Sequence, residues 1–289
     1  MKGEFVLQTV PLVSFVVFVM LFLLRIIKMS RFPFHLRWEI YPIPGRNGYQ
    51  TDMKDLEGQG QSGYRRHLQE IKYMASEILL FRTHYRRKRD YWYLVYPLHL
   101  SMYLFLAWSF MIGVGSLLSI AGVTVSSQST VWARILFYAT VFAGGASFSM
   151  GLVSSAGLLA KRVIQKDLRF CTTPVIYFNL LFALAICATG FINWLWFDPS
   201  FSIFREYAKH IAQFDGGPAS NPIMTVHILL LSLFMIYLPL SRMMHFVAKY
   251  FIFHKVLWES ERGTPETSSE TDVRRRVVTW SAPHISSNK

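Results

Sequence analysis

The chain has 289 residues, of which 52% are hydrophobic, 16% aromatic and only 16% charged, against roughly 25% charged in soluble domains. With a mean hydropathy of +0.29 it carries more apolar surface than one aqueous core can bury. A formal charge of +13 would point to nucleic acid in a soluble protein, but the basic residues cluster beside apolar runs, which is how charge sets membrane orientation; nucleic-acid binding is therefore not expected.

In chain order, the first apolar run, residues 5–27, is long enough to cross a bilayer. Arg25, Lys28 and Arg31 lie at its end, the reverse of a signal peptide, so residues 1–27 are expected to be an uncleaved membrane helix with its N-terminus outside. Residues 28–90 form the longest polar stretch, with 13 Lys/Arg against 7 Asp/Glu, and are expected as a cytoplasmic basic loop. Its start, residues 31–45, mixes aromatics with prolines, which favours an extended arm suited to docking a partner subunit.

The remaining spans form an expected four-helix core over residues 91–253. The second, residues 91–118, follows a cluster of four basic residues at 86–89 and contains His99. The third, residues 131–160, contains Ala143-Gly-Gly-Ala-Ser147, small residues that allow close approach of a helix or a flat cofactor, and ends at Lys161-Arg162. The fourth, residues 173–197, closes in Asn193-Trp194-Leu-Trp196, an aromatic belt. Phe201, Phe204, Ala208, Ile211 and Phe214 then recur at helical spacing, predicting a short amphipathic helix on the outer surface. The fifth span, residues 225–253, carries His227, Arg242 and His245, and a polar tail expected to be disordered, residues 254–289, ends the chain. The loops assigned inside carry 13 and 4 basic residues, those outside only Arg134 and then Arg205 with Lys209. The expectation is an all-α integral membrane protein of five transmembrane helices, N-terminus out and C-terminus in.

Histidine placement points to chemistry. His227 and His245 are eighteen residues apart, about five helical turns and about 27 Å, which on a continuous helix puts them on one face near opposite membrane surfaces. Intramembrane imidazoles are expensive unless they bind something, and haem iron takes neutral imidazole as an axial ligand. His99 lies about 12 Å into the second span and His245 about 35 Å along the fifth, so depth pairs these two; His227 belongs to the opposite leaflet. A purely structural role remains the alternative, above all for His227. His35, His67 and His84 fall in the polar loop and are expected to be solvated, with a ligand role left open for His84; His210, His254 and His284 are expected at the surface. No Cys-x-x-Cys-His occurs, so any haem is held non-covalently, and Cys171 and Cys187, about 24 Å apart on one helix, are not expected to bridge. No nucleotide-binding or nucleophile motif is present, and a haem-free membrane anchor or a small transporter remain as other readings.

Leu238-Pro-Leu-Ser-Arg-Met-Met-His245 with a histidine eighteen residues upstream, Phe142-Ala-Gly-Gly-Ala-Ser147, and Lys161-Arg162 ahead of Cys171-Thr-Thr173 together resemble the gamma subunit of respiratory nitrate reductase, a five-helix cytochrome b. The resemblance runs from about His99 to Phe246; the arm at residues 31–45 is similar to that of related membrane subunits in heterodisulfide-reductase-like and sulfate-reducer complexes. It implies a subunit of a bacterial or archaeal cell membrane that passes electrons between menaquinone and a cytoplasmic iron-sulfur subunit through haem b, or alternatively from a periplasmic multihaem cytochrome c; such a subunit is not a complete enzyme alone. The inner haem would be held by His99 and His245. The family's outer haem pairs the earlier fifth-helix histidine, here His227, with a position that is Ser109 in this chain. One haem b is therefore expected, and a second only if His227 finds another ligand. Arg242 is expected to meet a haem propionate, or else to snorkel at the interface. A quinone would lie near Ser109, Arg134 and His227.

Overall fold

The structure is a computed structural model and describes residues 2–31, 72, 75, 78–87, 89–215, 221–245 and 247. Most of the basic loop, including the arm at 31–45, and the tail beyond residue 247 lie outside the described residues. The described elements are all helical: α1 (Lys2–Arg31), α2 (Arg82–Arg87), α3 (Arg89–Ile120), α4 (Val131–Ile164), α5 (Lys166–Phe170), α6 (Pro174–Ile192) running into a π-helical turn (Asn193–Phe197), α7 (Ser202–Gln213), α8 (Pro222–Leu240), and a 3-10 turn (Arg242–Met244). Five of them are long and apolar enough to cross a membrane, the spans being Leu7–Arg31, Arg89–Ile120, Val131–Ile164, Pro174–Phe197 and Pro222–Leu240. The protein is thus an all-helical, multi-pass membrane protein.

Packing follows the small residues. α3 lies along α4, α4 against α6, α6 against α8, and α8 against α1, while α7 closes over α3. The approach of α4 to its neighbours depends on Gly144, where a Cβ would stand 2.5 Å from the Phe201 ring and 2.6 Å from Trp108, and on α6 Gly190 a Cβ would collide with Phe148. In lipid, where helix association draws little on the hydrophobic effect, such fitted contacts supply the attraction. α1 buries little beyond Ser14 and presents most of its apolar surface outward, as a peripheral lipid-facing helix does.

The spans alternate in direction. Lys161 donates to Asp90 O (3.2 Å), Arg162 to Thr172 Oγ1 (3.1 Å) and Tyr177 to Arg162 O (3.2 Å), which gathers the start of α3, the end of α4 and the start of α6. Tyr207 of α7 donates to Leu7 O and fixes the start of α1 at the opposite end. One end of the bundle therefore bears Arg89, Lys161, Arg162, Lys166 and Arg169, and the other is capped by α7.

The fifth span differs from the expected continuous helix. α8 stops at Leu240: Pro239 has no N–H to give the preceding turn, and Ser241 turns to an extended backbone (φ −87, ψ 172), its hydroxyl accepting from Met243 N (3.1 Å) to start the 3-10 turn. His227 and His245 are consequently not five turns apart along one helix face; His227 is fully buried and His245 exposed. The expected amphipathic helix is present as α7, flanked by Phe201 and Phe214 in left-handed conformations and lying across the end of the bundle, where it buries Phe204, Arg205 and Tyr207 and exposes Ser202, Glu206 and Gln213.

Candidate functional site

At the basic end, α3 and the segment after α8 bring His99 and His245 side by side, in an edge-on contact. Their ring centroids are 6.1 Å apart with planes at 76°. His99 Nδ1 lies 2.8 Å from Val95 O, one turn back on α3, so this nitrogen carries the proton as donor and Nε2 keeps its lone pair. That is how ligating histidines are usually prepared, the second nitrogen fixing tautomer and ring orientation. His245 Nδ1 lies 3.3 Å from Arg242 O, a longer contact with the same sense. A metal–imidazole bond of about 2.0 Å plus about 1.1 Å from nitrogen to ring centre, counted for two rings, gives about 6 Å between centroids bridged by one metal. Two imidazoles whose Nε2 atoms both pointed at one metal would stand about this far apart. No group of three or more His, Cys, Asp or Glu side chains that could hold a metal occurs among the described residues.

Segment 78–87 covers this pair from one side. Its run alongside the first half of α3 is held by Tyr103 donating to Ile78 O (2.8 Å) and Trp92 Nε1 to Leu80 O (3.1 Å). Phe81, in a left-handed conformation (φ 51), sets its ring 4.5 Å from that of His99. His84, expected to be solvated, is half-buried against Tyr91 (6.0 Å between rings), and its Nε2 is shielded without a hydrogen-bond partner among the described residues. Arg242 is exposed and precedes His245 by three residues across a 3-10 turn, the spacing at which side chains eclipse. His210 pairs with Asp215 at the partly exposed edge of α7; His35, His67, His254 and His284 lie outside the described residues.

The opposite end is built differently. His227 is fully buried, and its Nδ1 lies 2.9 Å from Thr189 Oγ1. Thr189 gives its own hydrogen to Ala185 O (2.9 Å), so the imidazole is the donor and Nε2 is left as an acceptor with no partner among the described residues. Around it stand aromatic edges: Phe148 at 5.4 Å and Phe204 at 5.7 Å, both near perpendicular. Trp108 packs on Phe148, Phe201 and Phe204 at 5.2 to 5.3 Å, closing the cluster. Ser109 is exposed, its hydroxyl folded back onto Phe105 O (2.9 Å), and Trp108 takes the inward position at that level. Arg134 is exposed as well, so Ser109, Arg134 and His227, expected to surround a quinone, are not gathered by the fold. The residues present do not fit a second haem here.

α7 holds this end shut. Asp198 accepts from the amides of Ser202 (2.8 Å), Ile203 (2.7 Å) and Phe204 (3.2 Å), a carboxylate at a helix N-terminus. Arg205, only 5% exposed, donates to Val125 O (3.1 Å); burial lowers its pKa from the usual value, partly opposed by the charge of Asp198. Thr189, Phe81 and Trp108 were not expected as parts of either end. Of the α7 end only Asp198, four residues before Ser202, was readable as a helix-start signal; Thr189, Phe81 and Trp108 have none apart from three-dimensional contact.

The fold and these two ends define a class, the polytopic helical membrane protein with paired histidines at one end of the bundle. No protein-family model matches the chain, and neither a curated protein nor a solved structure matches it.

Proposed function

We propose that this protein is a membrane cytochrome b subunit of a respiratory redox complex, exchanging electrons between a quinone and a cytoplasmic iron-sulfur partner, in the manner of the nitrate reductase gamma subunits its motifs resemble. The observation that carries this reading is the His99–His245 pair, 6.1 Å between centroids with His99 Nδ1 committed to Val95 O. Haem b bound there supplies one-electron chemistry. The chain's own residues would do the rest: His99 and His245 would hold the haem through their Nε2 atoms, Val95 O fixes the His99 tautomer, Phe81 shields one side from water, and Arg242 would be available to a propionate. Held by two imidazoles and no thioether link, a haem there would be low-spin and non-covalently bound.

The purified protein should be red, with a dithionite-reducible b-type spectrum; a colourless preparation would support a haem-free anchor instead. The orientation proposed with this reading, basic end inside, follows from the charge asymmetry between the two ends. Cys171, exposed at the basic end, tests it without mutation, since Cys187 is buried. An impermeant maleimide should label Cys171 in inverted vesicles and spare it in intact cells; labelling in intact cells would reverse the topology.

A further inference from the structure

The two ends of the bundle differ in what they leave open, and this bears on where redox partners reach the protein. We infer that the chain holds a single haem, and that the quinone and the iron-sulfur partner of the proposed function, on which this inference rests, both meet the same, basic half of the bundle. A two-haem subunit needs a second macrocycle beside His227 and a second axial ligand facing it. The space facing His227 belongs instead to Phe148 and Phe204, backed by Trp108 and Phe201. The small residues that would have admitted a flat cofactor are spent on these rings: the face of Gly144 is taken by Phe201 and Trp108, that of Gly190 by Phe148. Ser109, at the ligand position, points away.

A lipid-soluble partner is also kept from this end. α7 is latched by the Asp198 cap, by Arg205 reaching Val125 O, and by Tyr207 donating to Leu7 O, three attachments to different parts of the chain. The polar atoms left inside, His227 Nε2, Trp108 Nε1, and Arg205 Nε and Nη2, are an acceptor and donors suited to enclosed water. At the basic end the situation is the reverse. His245 is exposed, and α8 breaks off at Leu240 just before it. An isoprenoid quinone therefore approaches the His99–His245 pair laterally, beside the end of α8, and no electron path runs through the α7 end.

Two measurements on the full-length protein test this. Pyridine haemochrome analysis should give one haem per chain, and His227→Gln should keep the whole of it. Two haems per chain, or loss of half the haem in His227→Gln, would overturn the inference while leaving the proposed function intact; no haem at all would remove both. Photolabelling with an azidoquinone in proteoliposomes, read by peptide mapping, should place adducts within Tyr237–His245. Adducts on α7 or around Trp108 and Trp132 would show that the quinone enters at the sealed end and would overturn it independently of the haem count.

Discussion

The two histidine sites show how the same side chain serves opposite ends within one bundle. His99 and His245 lie with their ring centroids 6.1 Å apart, on a stretch where the helix has broken and one imidazole is exposed. His227 is equally well oriented, its Nδ1 held by Thr189 as that of His99 is held by Val95 O, yet it faces rings instead of a second imidazole. Tautomer control is therefore common to both sites, and the deciding difference is the residue across the gap. A buried nitrogen without a counterpart points to an enclosed water more simply than to a metal.

The comparison breaks first at the ligands. Substituting His99 or His245 by Ala should abolish the low-spin b signal altogether, since in the proposed site these two imidazoles would be the only protein ligands to the iron. Unchanged haem content and spectrum in either variant, by pyridine haemochrome and electron paramagnetic resonance, would refute the pairing. Replacing Gly144 by Leu attacks the other end: inserting a side chain against Phe201 and Trp108 should cost about 1–3 kcal/mol by overpacking, seen as a lowered thermal midpoint in detergent. Haem bound at the basic end should survive that change. A Gly144→Leu protein as stable as the parent would mean that the aromatic cluster yields easily, and that the space beside His227 is available after all. Thr189→Val, nearly isosteric, should leave the His227 Nδ1–H without its acceptor and cost about 1–3 kcal/mol.

Much of this architecture is readable in the sequence. All five spans, α7 and the candidate status of His99, His227 and His245 follow from hydropathy, 3.6-residue periodicity and the cost of imidazole in lipid, which are properties of short segments. Charge counting likewise separates the two ends. What stays hidden depends on contacts between segments. The break at Leu240–Ser241 is signalled by Pro239, but a proline inside an apolar run reads equally well as a tolerated kink, and only the Ser241 cap on Met243 decides it. The inward turn of Trp108 in place of Ser109 is a one-residue matter of helix rotation, set by where Gly144 leaves room on α4. Phe81 is the least legible, because its segment precedes α3 in a polar stretch and reaches His99 only by folding back along it.

The smallest effect is expected at the cap of α7, and it sharpens the contrast between the ends. The carboxylate of Asp198 serves two groups of donors: Oδ1 accepts from Ser202 N and the hydroxyls of Ser200 and Ser202, Oδ2 from Ile203 N and Phe204 N. Asp198→Asn keeps one oxygen and turns the other into a donor that cannot receive an amide hydrogen, so one group of amides loses its acceptor and the first turn loses a favourable negative charge. The loss should be about 0.5–2 kcal/mol, toward the lower end because one oxygen remains. Its signature is local: faster hydrogen exchange at Ile203 and Phe204, with the haem spectrum and midpoint potential unchanged, since sites this far apart contribute almost additively. If Asp198→Asn instead moved the haem potential, the α7 end would be coupled to the histidine pair, and the bundle could no longer be treated as two independent ends.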